Sequence, residues 1–123
     1  MTEIAKDEPL IAKLSRWQLD AYNAQDIDAF CGCFHRDVCV LDAEGNRTLQ
    51  GHEAFRSRYL AMFTAHTEVF AEVTQRIVLA THIVEFERWS RVERATGIRH
   101  QGEVIVRYTE RDGLIRWVEI LRP

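Results

Sequence analysis

The segment Ala24–Tyr59, AQDIDAFCGCFHRDVCVLDAEGNRTLQGHEAFRSRY, decides how the rest of this chain is read. Its apolar spacing predicts a short helix over Ile27–Cys33, with Asp26 placed to cap the first turn. A strand is expected at about Asp37–Asp42. Because side chains alternate across a strand, Val38, Val40 and Asp42 share one face and Asp37, Cys39 and Leu41 the other. Glu44-Gly45-Asn46 turns the chain, and Arg47–Gln50 returns as a second short strand. After Gly51, the residues Phe55, Tyr59, Met62 and Phe63 mark one face of a helix over His52–Ala65. Asp42 is thereby expected at the end of an apolar wall, where a carboxylate could do chemistry.

Upstream, Pro9 suits a first helical position. Leu10, Leu14, Trp17 and Ala21 recur at the helical period, with Ile11, Gln18 and Tyr22 beside them, and Asn23 closes the helix. Downstream the period changes. Val69–Leu79, His82–Glu93, Ile98–Glu110 and Leu114–Leu121 are rich in Val, Ile, Tyr and Trp and are joined by short links. One link contains Asp112-Gly113, a strong hairpin signal. The pattern predicts an α+β domain: three N-terminal helices packed on a strongly curved antiparallel sheet. Long strands twist, so the sheet curls, and helices across its mouth enclose a pocket. One domain is expected over residues 1–123, with a loose start at residues 1–8.

Composition narrows the function classes. A chain of 123 residues with 46% hydrophobic and 28% charged residues is sized for one folded core. A net charge of −3 gives no basic footprint for nucleic acid. The longest apolar run is far shorter than the ~20 residues of a membrane span. The acidic, polar start MTEIAKDEP does not read as a secretory signal, so a cytoplasmic protein is expected. Cys31 and Cys33 lie two apart on a predicted helix and so point about 200° away from each other. With Cys39 they read as small buried thiols rather than metal ligands or a disulfide. His35, His52, His66, His82 and His100 form no ligand-spaced pattern, and no GxSxG or phosphate-cradling loop occurs. Neither metal nor cofactor is expected.

The set Asp26-Ile27-Asp28-Ala29-Phe30, Phe34, Val38-x-Val40-x-Asp42, Gly45, Gly51, Phe55–Tyr59 and Asp112-Gly113-Leu114-Ile115, in this order, resembles the nuclear transport factor 2-like superfamily. Within it, the SnoaL-like and ketosteroid-isomerase-like branch is the nearest in pattern, over about Ile11–Leu121. The resemblance implies a cone, a curved sheet wrapped on helices with a deep cavity at the open end. It also implies an aspartate general base at a strand end, which falls on Asp42. In ketosteroid isomerases a tyrosine and a protonated aspartate hold the developing enolate. Those positions fall on Gln18 and near Ile105, so both acidic donors are missing, and authentic steroid isomerisation is not expected.

The same correspondence places Phe86, Arg88 and Ser90 inward on the segment His82–Glu93, with Glu103 on the face of Ile105 in the next segment. Tyr22, Tyr59, Phe63, Val40, Val118 and Ile120 complete the expected lining. The leading reading is a pocket for a small hydrophobic carbonyl-bearing or cyclic metabolite, with Asp42 as acid/base in an isomerase- or cyclase-type proton transfer. Gln18 and Tyr59 are expected to orient the ligand. A desolvated Asp42 beside Val38 and Val40 would have its ionised form disfavoured. The alternatives are a non-catalytic ligand binder or sensor, a scaffold module without a cavity, and epoxide-hydrolase-like water activation by Asp42, Arg88 and Glu103. Trp89, Val104, Val106, Tyr108 and Trp117 are expected on the opposite face, where so much apolar surface points to a two-fold dimer contact.

Overall fold

Pro9 has a fixed φ that suits entry into a helix, and α1 runs Leu10–Asn23 directly behind it. The computed structural model describes residues 8–123. The loose start expected at residues 1–8 thus lies outside the described residues except for Glu8, which pairs with Arg16 of α1. Ile11, Leu14, Gln18 and Ala21 form the buried face of α1, spaced three and four apart. That face is turned from the expected one: Leu10 is exposed, and Trp17 is 51% exposed on the solvent side. Gln25 takes a positive φ of 54° to leave the helix. Asp26 then caps α2, Ile27–Cys31, by accepting from the Ala29 amide at 3.1 Å.

The strands are β1 (Phe34–Leu41), β2 (Arg47–Gln50), β3 (His66–Val78), β4 (His82–Glu93), β5 (Arg99–Arg111) and β6 (Leu114–Leu121), with α3 (His52–Ala65) between β2 and β3. They form one sheet in the order β2-β1-β6-β5-β4-β3. The α+β architecture of three helices on a curved sheet is as expected. One pairing differs from a wholly antiparallel sheet, because β6 returns beside β1 and runs parallel to it. β1 begins three residues before its expected start, since Phe34 already pairs with Ile115. Asp112 and Gly113 both have positive φ, 56° and 82°, as a tight hairpin turn requires.

The helices cover one face of the sheet, and Ile11, Phe55, Ile83 and Ile115 are fully buried between the layers. Asn23 stitches the end of α1 to the free edge of β3. Its amide nitrogen donates to the Ala71 carbonyl at 3.0 Å, and its oxygen accepts from the Ala71 amide at 2.8 Å. Cys31, Cys33 and Cys39 are buried and unpaired, as read from the sequence. Among the described residues no helix is long and apolar enough to cross a membrane.

The faces of β4 and β5 are the reverse of the expected ones. Val104, Val106 and Tyr108 are buried under the helices, while Ile105 is 41% exposed on the outer face. The register pairs Glu87 with Val104, Glu85 with Val106 and Ile83 with Tyr108. The inward positions of β4 are therefore Ile83, Glu85, Glu87, Trp89 and Arg91. Phe86, Arg88 and Ser90 face outward, and so do Glu103 and Ile105. Of the five residues expected on the outer face, only Trp117 is there, since its neighbour Val118 is buried inward. The physical reason lies in β5: burying Val104, Val106 and Tyr108 outweighs burying Glu103, Ile105 and Arg107, and pairing passes that parity to β4.

Candidate functional site

Between the helices and the concave face lies a cavity of about 220 Å³. Its walls are built from both layers. Gln18 and Tyr22 come from α1, Tyr59 and Arg58 from α3, and Glu87, Trp89 and Arg91 from β4. Val104, Val106 and Tyr108 of β5, Val118 and Ile120 of β6, and Arg122 beyond it complete the enclosure. Phe30, Phe34 and Phe55 line the cavity too, in an aromatic cluster with Tyr59. Phe30 and Tyr59 have ring centroids 4.8 Å apart, Phe55 and Tyr59 4.7 Å, and Phe34 and Phe55 4.4 Å. Such contacts hold rings rigid and give Tyr59 a fixed place.

Glu87 is the carboxylate of this cavity. Burial among apolar and aromatic groups disfavours its charge, the nearby Glu85 adds repulsion, and Arg122 offsets only part, so its pKa is pushed up to about 7. The phenols around it respond in the same sense. Burial raises Tyr22, holds Tyr59 well above the ordinary phenol range, and does the same to Tyr108, each reinforced by the charge of Glu87. All three keep their protons near neutral pH and line the cavity. Deeper on the same strand, Glu85 is fully buried. Ser15 Oγ donates to Glu85 Oε2 at 2.6 Å, and Arg76 reaches the same oxygen at 3.1 Å. Glu85 Oε1 is left without a partner.

Asp42 does not occupy the expected position. It lies just past the end of β1, where its Oδ1 accepts from the amides of Glu44 at 3.0 Å and Asn46 at 2.9 Å. Asn46 Nδ2 donates to Oδ2 at 3.2 Å. These donors, the Asn46 amide foremost, hold the carboxyl below its ordinary value rather than above it. Asp42 is a turn-forming aspartate at the rim of an outer recess that shares Arg58, Tyr59, Ile120 and Arg122 with the cavity. The set Asp42, Arg88 and Glu103 is not assembled. Arg88 Nε meets Glu103 Oε2 at 3.0 Å as an exposed cross-strand pair on the outer face.

Of the other residues read from sequence, Gln18, Tyr22, Tyr59, Val118 and Ile120 do line the cavity. Gln18 spends one amide hydrogen on the Ser15 carbonyl at 3.0 Å. Phe63 is buried in the aromatic cluster, and Val40 lines the outer recess. Phe86, Arg88, Glu103 and Ile105 are excluded from the cavity by their face. The sequence reading missed Glu87, Trp89, Arg91, Arg58 and Arg122. The apolar alternation Val104, Val106, Tyr108 was the signal that could have found those on β4, through the hairpin register. Among the described residues no group of three His, Cys, Asp or Glu side chains is placed to hold a metal ion.

Three solved structures of similar shape have low sequence identity to this chain. An uncharacterised cystatin-fold protein from Novosphingobium aromaticivorans superposes with a TM-score of 0.76 at 22% identity, covering 89% of this chain and 96% of the other. A putative polyketide cyclase from Xanthomonas campestris pv. campestris gives 0.74 at 20% identity, covering 93% and 90%. RV0760c from Mycobacterium tuberculosis, in complex with estradiol-17β-hemisuccinate, gives 0.80 at 13% identity, covering 92% and 93%. These likenesses show a shared fold. No curated protein matches the chain significantly. The SnoaL-like domain family matches residues 16–119, from the second half of α1 through most of β6. The chain belongs to the SnoaL-like domain family, within the nuclear transport factor 2-like superfamily.

Proposed function

We propose that this protein is an acid/base enzyme of the isomerase or cyclase type, acting on a small ring-bearing carbonyl compound held in the cavity, with Glu87 as the proton-transferring group. The observation that carries the reading is a carboxyl inside an aromatic cavity whose pKa is pushed up to about 7. A base poised near neutral pH can take a proton from the carbon beside a carbonyl and return it elsewhere. Tyr59 and Tyr108, kept protonated by burial, are the donors suited to the developing enolate oxygen. The neighbour crystallised with estradiol-17β-hemisuccinate supports a ring-bearing ligand for a cavity of this kind. No cofactor enters the scheme.

The test uses 2-tetralone in deuterated buffer, with NMR following exchange of the protons beside its carbonyl. Wild-type protein is expected to accelerate exchange, and Glu87→Gln to reduce that acceleration by roughly 100-fold or more. Exchange at the wild-type rate in Glu87→Gln removes Glu87 as the base. Binding of the ketone without any acceleration supports the ligand-binder reading instead. The partner proposed for the chain is a second copy, seated on the outer sheet face around Phe86, Ile105 and Leu121.

A further inference from the structure

The cavity's charges do not match those of the chain. Over the whole sequence acids outnumber Lys and Arg, giving a net charge of −3. Around the cavity the balance reverses: Arg58, Arg91 and Arg122 face a single carboxylate, Glu87. Elsewhere many arginines are paired, although among the described residues Arg47, Arg94, Arg111 and Arg116, outside the cavity, also lack a carboxylate, and Arg116 Nη1 is likewise buried without a hydrogen-bond partner. Arg56, Arg76, Arg88, Arg99 and Arg107 each meet a carboxylate within 3.1 Å. Among the described residues the three cavity arginines have no such partner within 4.0 Å, and Arg91 Nε is buried with no hydrogen-bond partner. A buried donor left open is costly unless something else fills it.

Arg91 is also held in place for a ligand. Its guanidinium carbon lies 4.6 Å from the centroid of the Trp89 ring, a stacking geometry that fixes the plane of the fork. Trp89 in turn lies against Gly102, its cross-strand partner, where a Cβ would come within 2.9 Å of the indole. Gly102, Trp89 and Arg91 thus form a chain of contacts that aims one preorganised fork at the cavity. Arg58 and Arg122 line both the cavity and the outer recess, while Val104 and Val106 supply apolar wall.

We infer that the ligand of this cavity is an organic acid: a ring-bearing apolar body that enters past the rim while its carboxylate stays on Arg91, Arg122 and Arg58. The inference rests on reading the cavity as the binding site and names the class of molecule that the site takes. Guanidinium–carboxylate bonds are charge-assisted and geometrically specific, so they select the acid over a neutral analogue of the same shape. Removal of the carboxylate would leave the Arg91 donor unfilled again.

The test compares 2-naphthoate with 2-naphthalenemethanol, which share a ring body and differ in charge, by calorimetric titration of the folded protein. The acid is expected to bind roughly tenfold or more tightly than the alcohol. Arg91→Gln and, separately, the surface-exposed Arg122→Gln are expected to reduce that preference. Arg107→Gln, on the outer face, is expected to keep it. Equal affinity for acid and alcohol, preference for the alcohol, no binding of either, or a preference untouched by both cavity variants overturns the inference. The two proposals fail separately. A Glu87 carboxyl found titrating at an ordinary value removes the base but leaves the acid preference standing, whereas equal affinities remove the organic acid and leave the exchange chemistry of Glu87 untouched.

Discussion

Two acidic residues of this chain have opposite fates, and their surroundings explain both. Asp42 accepts hydrogen bonds from a turn and is held ionised. Glu87 sits where no backbone amide reaches it and burial works against its charge. The pH consequence is specific. A carboxyl whose folded pKa lies above its unfolded value binds more protons folded than unfolded between the two, so Glu87 contributes a loss of stability as pH rises from 4.5 to about 7. The titratable and charged groups around it are Tyr22 of α1, Arg58 and Tyr59 of α3, Tyr108 of β5, Glu85 and Arg91 of its own strand, and Arg122. The phenols keep their protons through that window. Urea unfolding at both ends of the window is expected to show this loss, up to about 3 kcal/mol, and Glu87→Gln to flatten it. An equal slope in both proteins refutes the assignment. Asp42→Asn, in contrast, is expected to leave exchange of 2-tetralone near the wild-type rate while lowering Tm slightly through the loosened turn. A collapse of exchange in that variant would return the chemistry to the strand end.

At the level of the elements, β4 carries the most stress. Its inward face holds two carboxylates in a row of alternate positions, and each is accommodated differently. Glu85, fully buried, pairs with the partly exposed Arg76 and accepts a hydrogen bond from Ser15. Removing Arg76 leaves a fully buried carboxylate without its counter-charge, so Arg76→Met is expected to cost about 3–5 kcal/mol in chemical unfolding. The double variant Arg76→Met with Glu85→Met should recover most of that loss, because two apolar groups can replace a buried pair. Failure of the recovery would show that Arg76 acts through packing instead. Across the strand pair, Gly102→Ala forces the Trp89 ring to shift. The expected cost is about 1–3 kcal/mol, together with weaker binding of 2-naphthoate as Arg91 loses its stacking partner. Stability loss with unchanged binding would separate Gly102 from the site.

For the molecule as a whole, the proposed second copy has a surface to meet. The outer sheet face exposes Phe70, Ile105 and Leu121 at 48%, 41% and 39%, with the Arg88–Glu103 pair beside them. Ile105→Lys places a charge in the middle of that band, and sedimentation equilibrium is expected to show dissociation to monomers; an unchanged mass moves the contact elsewhere. Much of this architecture was legible in the order of amino acids. Helix period, the Asp26 cap, the Asp112-Gly113 turn and the switch to alternating strands are local properties, encoded within a few neighbouring residues. The site was only half legible. Tyr22, Tyr59, Val118 and Ile120 were found because their elements bury one obvious face. Glu87 and Arg91 were missed because Glu-Phe-Glu-Arg-Trp-Ser alternates charge and apolar bulk on both sides, so β4 alone does not say which side is inside. That choice is made by pairing with β5, where one residue of slip exchanges the faces. The contacts that complete the cavity join residues distant in sequence, as Ser15 meets Glu85. Local sequence dictates each element's conformation, whereas inside and outside emerge only when strands pair and the helices close over one face.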